Sequence, residues 1–487
     1  LAAHVSERLP AKKDLRVRLG LFVSVGLAAL CACGGGGGSS SAPPVVAPSS
    51  TPVRVPTPVP TPIPSAGPAG KILHIVVIIQ ENRSFDNLFN GFPNADSVKS
   101  GVMVQPGAAP TTVPLAQVPL AVPCDLSHSH IAWAGDWDGG RMDGFSESTA
   151  GITCPKGAAR PPATYAYSYV NPSDVAQYWQ LAHNYTLMDE VFEEPTAPSF
   201  ESHQHLIAGQ SNNTSENPRL NGVEQSIWGC DSPAGTTVAL YNGLGDTLPG
   251  IPPCFAPPYA TVADLLDAKK LPWKYYAPSI GAKGNIWSAF DAVQSIRYGP
   301  DWNADVISPE TTILTQAKSL PSVAYVVPSY ANSDHASSDS ATGPAWVAAV
   351  VNAIGASPDW STTAIFVLWD DWGGWYDHVA PAVSANYTVG GFRVPVLCIS
   401  PYSEDQTPAS PSVDHNVHGT DGILSFIEET FGLASLNQQD AHEAPFNDCF
   451  NFTTAPKPFI PAPASALYPA SYFVHQRPSG IVPDDDK

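Results

Sequence analysis

Charge is scarce in this chain of 487 residues. Only 14% of positions are charged, and 23 Lys and Arg stand against 44 Asp and Glu, for a formal net charge of −21. So few basic residues exclude a sequence-independent nucleic-acid binder, which needs Lys and Arg to displace phosphate counterions. Long apolar runs are missing as well. The run 19–32 has fourteen residues, short of the roughly 20 that a membrane-spanning helix requires. Several enzyme signatures are absent. No Gly-x-Ser-x-Gly elbow occurs, which counts against an α/β-hydrolase. No His-Glu-x-x-His occurs, which counts against a zinc protease, and no Gly-x-x-x-x-Gly-Lys-[Ser/Thr] loop occurs, which counts against a nucleotide-loop enzyme. No Cys-x-x-Cys pair suits a cysteine zinc site.

Other residues are abundant. Twelve Trp, 17 Tyr and 18 Phe argue against wholesale disorder, and 51 Pro with 38 Gly argue for long loops. The first 18 residues carry Arg8, Lys12, Lys13, Arg16 and Arg18, and the apolar run 19–32 follows, ending at Leu30-Cys31-Ala32-Cys33. A basic start and a short apolar core read as an export signal. The ending resembles a bacterial lipoprotein signal, which implies a lipid on Cys33 and a membrane-anchored location in the cell envelope. Residues 34–70 are rich in Pro, Gly and Ser, with repeated Thr-Pro and Val-Pro steps. Such a segment favours extended geometry and cannot bury a core, so it reads as a disordered tether. The body, 71–487, holds six cysteines, an even number that reads as disulfides in an exported chain. Pairing of nearest neighbours gives Cys124–Cys154, Cys230–Cys254 and Cys398–Cys449, one of about 15 connectivities.

Within the body, 71–79 is a continuous β-branched apolar run that suits a strand buried on both faces. Similar runs occur at 322–327, 363–368 and 394–399. Helical stripes lie at 345–354 and at 421–431, the second with Thr420 or Asp421 as N-cap and Gly432 as its stop. Buried strands alternating with amphipathic helices predict an α/β fold with a largely parallel sheet flanked by helices. In such sheets, functional side chains gather past the C-terminal strand ends. The first strand runs into Gln80-Glu81-Asn82-Arg83-Ser84-Phe85-Asp86. The run 322–327 leads to Ser333-Asp334-His335, and 363–368 leads to Trp369-Asp370-Asp371-Trp372-Gly373-Gly374-Trp375-Tyr376-Asp377-His378. Adjacent Asp370 and Asp371 repel unless a cation or hydrogen bonds compensate. Oxygen donors at Glu81, Asn82, Asp370 and Asp371 suit a hard divalent ion.

These stretches, with Pro198-Ser199-Phe200-Glu201-Ser202-His203-Gln204-His205 and 423–433, are similar to the bacterial phosphoesterase family that joins phosphatidylcholine-type phospholipases C with an acid phosphatase branch, within the alkaline phosphatase superfamily. The resemblance spans 72–433 and is most specific at Glu81-Asn82-Arg83-Ser84-Phe85-Asp86. It implies an alkaline phosphatase-like core with a loop-rich, disulfide-pinned insertion around 210–300. It implies a divalent metal held by Glu81, Asn82, Asp370 and Asp371, and Ser199 as the nucleophile. His335 and His128 match histidines that line the phosphate pocket, with His378 and Asp334 as further pocket residues. Hydrolysis then passes through a phosphoserine on Ser199.

The chemistry of the residues agrees. A free serine hydroxyl is a poor nucleophile, and a bound divalent ion activates it. If 200–207 is a helix, its first amides would point at a phosphate. Taken alone, Ser199 reads as a helix N-cap, and His203 and His205 as packing or hydrogen-bonding residues. The Trp369–Trp375 cluster suits either a cage for a quaternary ammonium or packing beside the metal. Many members of the phospholipase branch carry Pro-Asn-Arg where this chain has Glu201-Ser202-His203, which leaves the head group open. Glu201 adds a negative charge that must be paired or turned away. The expected activity is a phospholipase C-like phosphodiesterase acting on a phospholipid or small phosphate ester. The rival readings are a phosphomonoesterase and a surface phosphate-binding protein without catalysis.

Overall fold

The computed structural model describes residues 67–477, apart from 197, 242–246, 339, 382–389, 405–409 and 439. The signal 1–33, its Cys33, and all of the tether but its last four residues lie outside the described residues.

Eight strands form the main sheet: β1 (His74–Gln80), β2 (Thr186–Met188), β3 (Trp273–Tyr276), β4 (Val306–Ile307), β5 (Val323–Val326), β6 (Thr363–Trp369), β7 (Val396–Ile399) and β8 (Ser412–Asp414), in the order β4-β3-β5-β1-β6-β7-β2-β8. All neighbouring pairs are parallel except those made by β7, which runs against β6 and β2. The expected, largely parallel α/β sheet is present.

The sheet is covered on both faces, which is why β1 is apolar at consecutive positions. Ile75, Val77 and Ile79 join a core with Phe200, Leu206 and Ile207 of α2 (Ser199–Ala208) and with Ile423, Leu424 and Ile427 of α4 (Gly422–Phe431). Val76 and Ile78 join another with Tyr178 and Leu181 of α1 (Ala176–Asn184) and with Trp346, Val350 and Ile354 of α3 (Gly343–Gly355). A third cluster gathers Leu126, Phe145, Tyr167, Trp372, Trp375 and Phe392. Both α2 and α4 stop at glycines in the left-handed region, Gly209 and Gly432.

The disulfides join Cys124–Cys154, Cys230–Cys254 and Cys398–Cys449, the nearest-neighbour pairing. The insertion is smaller than expected. It holds Cys230–Cys254 and a hairpin of Val238–Tyr241 with Thr247–Ile251, but Trp273–Tyr276 returns to the main sheet as β3.

The register of the central strands positions the site. Gln80 pairs with Trp369 at the common end of β1 and β6, and the Asp370 amide donates to the Gln80 carbonyl at 3.0 Å. The Glu81 amide donates to the Ser333 carbonyl at 2.8 Å. Glu81-Asn82, Asp370-Asp371 and the loop after β5 therefore meet at one edge.

Candidate active site

Asn82 begins the site. It sits at φ +59, in the left-handed region that asparagine tolerates better than most residues. Its amide donates to Asp370 Oδ1 at 3.0 Å. Its Nδ2 donates to His128 Nε2 at 2.9 Å and lies 3.4 Å from Asp371 Oδ2. His128 Nδ1 faces the Leu126 carbonyl at 2.8 Å. A carbonyl can only accept, so the proton sits on Nδ1 and Nε2 accepts from Asn82. That bond turns Asn82 Oδ1 the other way, where it is buried without a hydrogen-bond partner.

Asp371 receives both neighbours. Its Oδ1 accepts from the Gly373 amide at 2.7 Å, and its Oδ2 accepts from Ser199 Oγ at 3.2 Å. Gly373 has φ +61, and a Cβ there would lie 2.1 Å from the Asn82 carbonyl oxygen. Only glycine lets the turn after Asp371 close on Asn82.

Ser199 is the first residue of α2. The N-cap is Pro198, and Ser199 does not cap the helix with its side chain. The hydroxyl is directed to Asp371 instead. The first-turn amides differ from expectation. Phe200 donates to Asn217 Oδ1 at 3.1 Å and Glu201 to the Pro198 carbonyl at 3.1 Å, so neither is open to a phosphate. Glu201 is buried. That burial, and then the charge of Glu216, hold its carboxyl well above the ordinary range, which favours the neutral acid.

His203 lies one turn along α2 from Ser199, on the same face. Its Nε2 donates to Glu81 Oε1 at 3.0 Å and is 3.6 Å from Asp370 Oδ2. Sequence reasoning gave it a packing or hydrogen-bonding role, and the structure places that hydrogen bond on Glu81, one of the expected metal ligands. The signal was available in the i, i+4 spacing from Ser199. His205 does pack: it meets Asp421 at 3.4 Å, and burial lowers its pKa to about 4, which keeps it neutral.

His335 Nδ1 contacts the Ala336 carbonyl, and its Nε2 is 3.9 Å from Asp125 Oδ2. Asp125, His128 and His335 bring ligand atoms within 4.8 Å of one another. Asp125 is a further site residue that sequence reasoning missed. Glu193 is another. Burial, and then the charges of Asp371 and Asp370, raise its carboxyl well above the ordinary range, and its Oε1 accepts from the Phe392 amide at 3.0 Å.

Two expected pocket residues are turned to other partners. Asp334, at φ +70, accepts from Tyr178 at 2.6 Å and from Trp369 Nε1 at 3.2 Å, inside the protein. Its carbonyl accepts from Arg83 Nε at 2.9 Å and Nη2 at 2.7 Å, which ties the loop before His335 to the segment that follows β1. His378 is bound to Asp86 at 2.7 Å and Asp96 at 3.3 Å, beside Arg393 and Asp377. Trp369, Trp372 and Trp375 are fully buried and face different neighbours: Tyr178, Phe392 and the Arg83 guanidinium. They pack and form no common cage.

The donors fit a divalent cation. Glu81, His203 and Asp370 offer ligand atoms within 4.8 Å of one another. Asn82 Oδ1 and Asp370 Oδ2 are buried oxygen acceptors without hydrogen-bond partners. An imidazole N–H standing between two carboxylates, as at His203, occupies a position that attracts positive charge.

The sequence profile of the Phosphoesterase family matches residues 72–434. The chain is 26% identical over 440 residues to "Phospholipase C A" of Mycobacterium tuberculosis, covering 79% of this chain and 78% of that one. It is 23% identical over 434 residues to "Non-specific phospholipase C1" of Arabidopsis thaliana, covering 80% and 73%. Among solved structures, a protein in the alkaline phosphatase superfamily from Vibrio parahaemolyticus is similar over 79% of this chain and 74% of that one, at TM-score 0.34 and 10% identity. The family assignment does not rest on that structural likeness. The profile covers most of the chain, including Glu81, Asn82, Ser199, Asp370 and Asp371, and this chain belongs to the phosphoesterase family, hydrolases of phosphoester bonds.

Proposed function

We propose that the protein is an exported phospholipase C-like phosphodiesterase that forms a phosphoserine on Ser199. One observation carries the reading. The Ser199 hydroxyl, at the first position of a buried helix, is held at 3.2 Å by Asp371 among the other expected ligands. The relatives named phospholipase C favour a diester over a monoester.

Ser199 Oγ gives up its proton to Asp371, attacks phosphorus, and the bond to the leaving oxygen breaks. Asp371 orients the hydroxyl. Glu81, Asn82, Asp370 and Asp371, with His203 beside them, would hold a divalent ion. Such an ion, when bound, lowers the hydroxyl pKa and offsets charge on the phosphoryl oxygens. His335, backed by Asp125, is the residue assigned to protonate the leaving oxygen. His128 acts as a positioning residue, since its bond to Asn82 fixes which way Oδ1 points. Water then gives a proton to His335 and attacks the phosphorus; the P–Oγ bond breaks, Ser199 Oγ takes back its proton from Asp371, and the phosphate monoester leaves. The three disulfides support export, and the basic and apolar N-terminal pattern with Cys33 supports a lipid anchor.

The test compares a chromogenic phosphorylcholine diester with a chromogenic monoester, with and without chelator, in wild type and Ser199→Ala. The expected result is chelator-sensitive diester hydrolysis that falls at least about 1000-fold in Ser199→Ala. Preference for the monoester would move the assignment to a phosphatase. Activity surviving in Ser199→Ala would remove the serine mechanism, and no hydrolysis of either ester with metal supplied would favour a binding protein.

A further inference from the structure

A second cluster of acceptors shares no residue with the Ser199 site. β8 ends in Asp414. Beyond it, His418–Gly419 pairs with Val191–Phe192 shortly before α4. Asp448 lies in the short turn Phe446–Cys449, and Cys449 is bonded to Cys398 of β7. Asp414, His418 and Asp448 each offer a ligand atom, and the three lie within 4.8 Å of one another.

His418 Nδ1 lies 3.2 Å from the Ala444 carbonyl, which can only accept, so the Nδ1 carries a proton. For a neutral ring, Nε2 then presents a lone pair, 3.4 Å from Asp448 Oδ2. Asp414 Oδ1 accepts from the Asn416 amide at 3.0 Å and from Asn416 Nδ2 at 2.7 Å. Its Oδ2, like His418 Nε2, is buried without a hydrogen-bond partner. His418 is 3% exposed and Asp414 8%, so water does not readily compensate either atom. A lone pair facing two carboxylates is repulsive until a cation sits among them. An imidazole that donates its other N–H to a backbone carbonyl is the usual posture of a metal ligand.

We propose that Asp414, His418 and Asp448 form a second metal site, for a borderline dication such as Zn²⁺, which fastens the edge of the sheet and the start of α4 to the segment around Cys449. One imidazole and two carboxylates suit Zn²⁺ better than Ca²⁺, which prefers oxygen alone. Asp448 is half-buried and leaves an approach for the ion and a coordinating water. Burial also raises the Asp414 carboxyl above its ordinary range, so a shared proton is the competing occupant.

Zinc content decides between them without reading activity. The full chain carrying Asp370→Asn and Asp371→Asn, which weakens the Ser199 site, is stripped with chelator and dialysed against Zn²⁺. Zinc per chain is read by elemental analysis and native mass spectrometry. Adding His418→Gln, or separately Asp448→Asn, is expected to remove about one zinc per chain or weaken its binding at least about tenfold. Asp448→Asn lies at a half-buried position and keeps the test open if His418→Gln folds poorly. A background protein that takes up no zinc, or zinc content unchanged by either added substitution, would overturn the proposal.

Discussion

Ser199 and His203 show how one helical turn sets the chemistry. Placed four residues apart on α2, they bring a hydroxyl to Asp371 and an imidazole to Glu81 and Asp370. His378 shows the same logic at a structural position. Burial would lower its pKa, but the hydrogen bond and charge of Asp86, with Asp377, outweigh burial and the opposing Arg393 charge, and raise it from 6.5 to about 9. A raised folded-state pKa contributes stability that is full below the unfolded value and lost as pH rises through the folded one. The melting temperature is therefore expected to fall between pH 6.5 and about 9. The loss is up to about 3 kcal/mol. His378→Asn should flatten this fall in melting curves taken across the range, and an unchanged slope would show that His378 does not carry it.

The pairing of β1 with β6 determines which side chains meet. Gln80 opposite Trp369 makes Glu81-Asn82 and Asp370-Asp371 neighbours, and Gly373 lets the following turn close over Asn82. Gly373→Ala combines a left-handed φ with a Cβ 2.1 Å from a backbone oxygen. The expected cost is about 1–3 kcal/mol of stability, seen in chemical unfolding, with diester hydrolysis down more than about tenfold. Much of this level was readable in the chain. β1, β5, β6 and β7 are apolar runs, and the polar residues following the first three mark the site. What was not readable is short or contextual. β2, β4 and β8 have two or three residues each, too few to show a period. β3 reads Trp-Lys-Tyr-Tyr and lacks the β-branched signature. Asp334 and His378 follow strands as site residues do, but Tyr178, Trp369 and Asp86, distant in sequence, take their side chains. Glu193 and Asp125 sit in segments without a motif, and only the fold carries them to Asp370 and His335.

The described residues form a doubly covered sheet whose outer segments are held by disulfides, and no helix among them is long and apolar enough to cross a membrane. Cys398–Cys449 spans 51 residues and ties β7 to the segment beyond α4. Replacing both cysteines with Ala is expected to lower unfolding free energy by about 4 kcal/mol through the restored freedom of the unfolded loop. Denaturant titration measures it, and a midpoint equal to wild type would contradict that contribution. The net charge of −21 is concentrated in part where it is useful, since Glu81, Asp370 and Asp371 would surround a cation at the phosphate site. The covalent step underlies every role assigned to Ser199. Acid quenching during turnover of a slow diester, followed by peptide mass spectrometry, traps it. The expected result is a phosphoryl group still carrying the second ester substituent on the Ser199 peptide in wild type, and none in Ser199→Ala. An active enzyme with no phosphorylated peptide under burst conditions, or with phosphate on another residue, would contradict it.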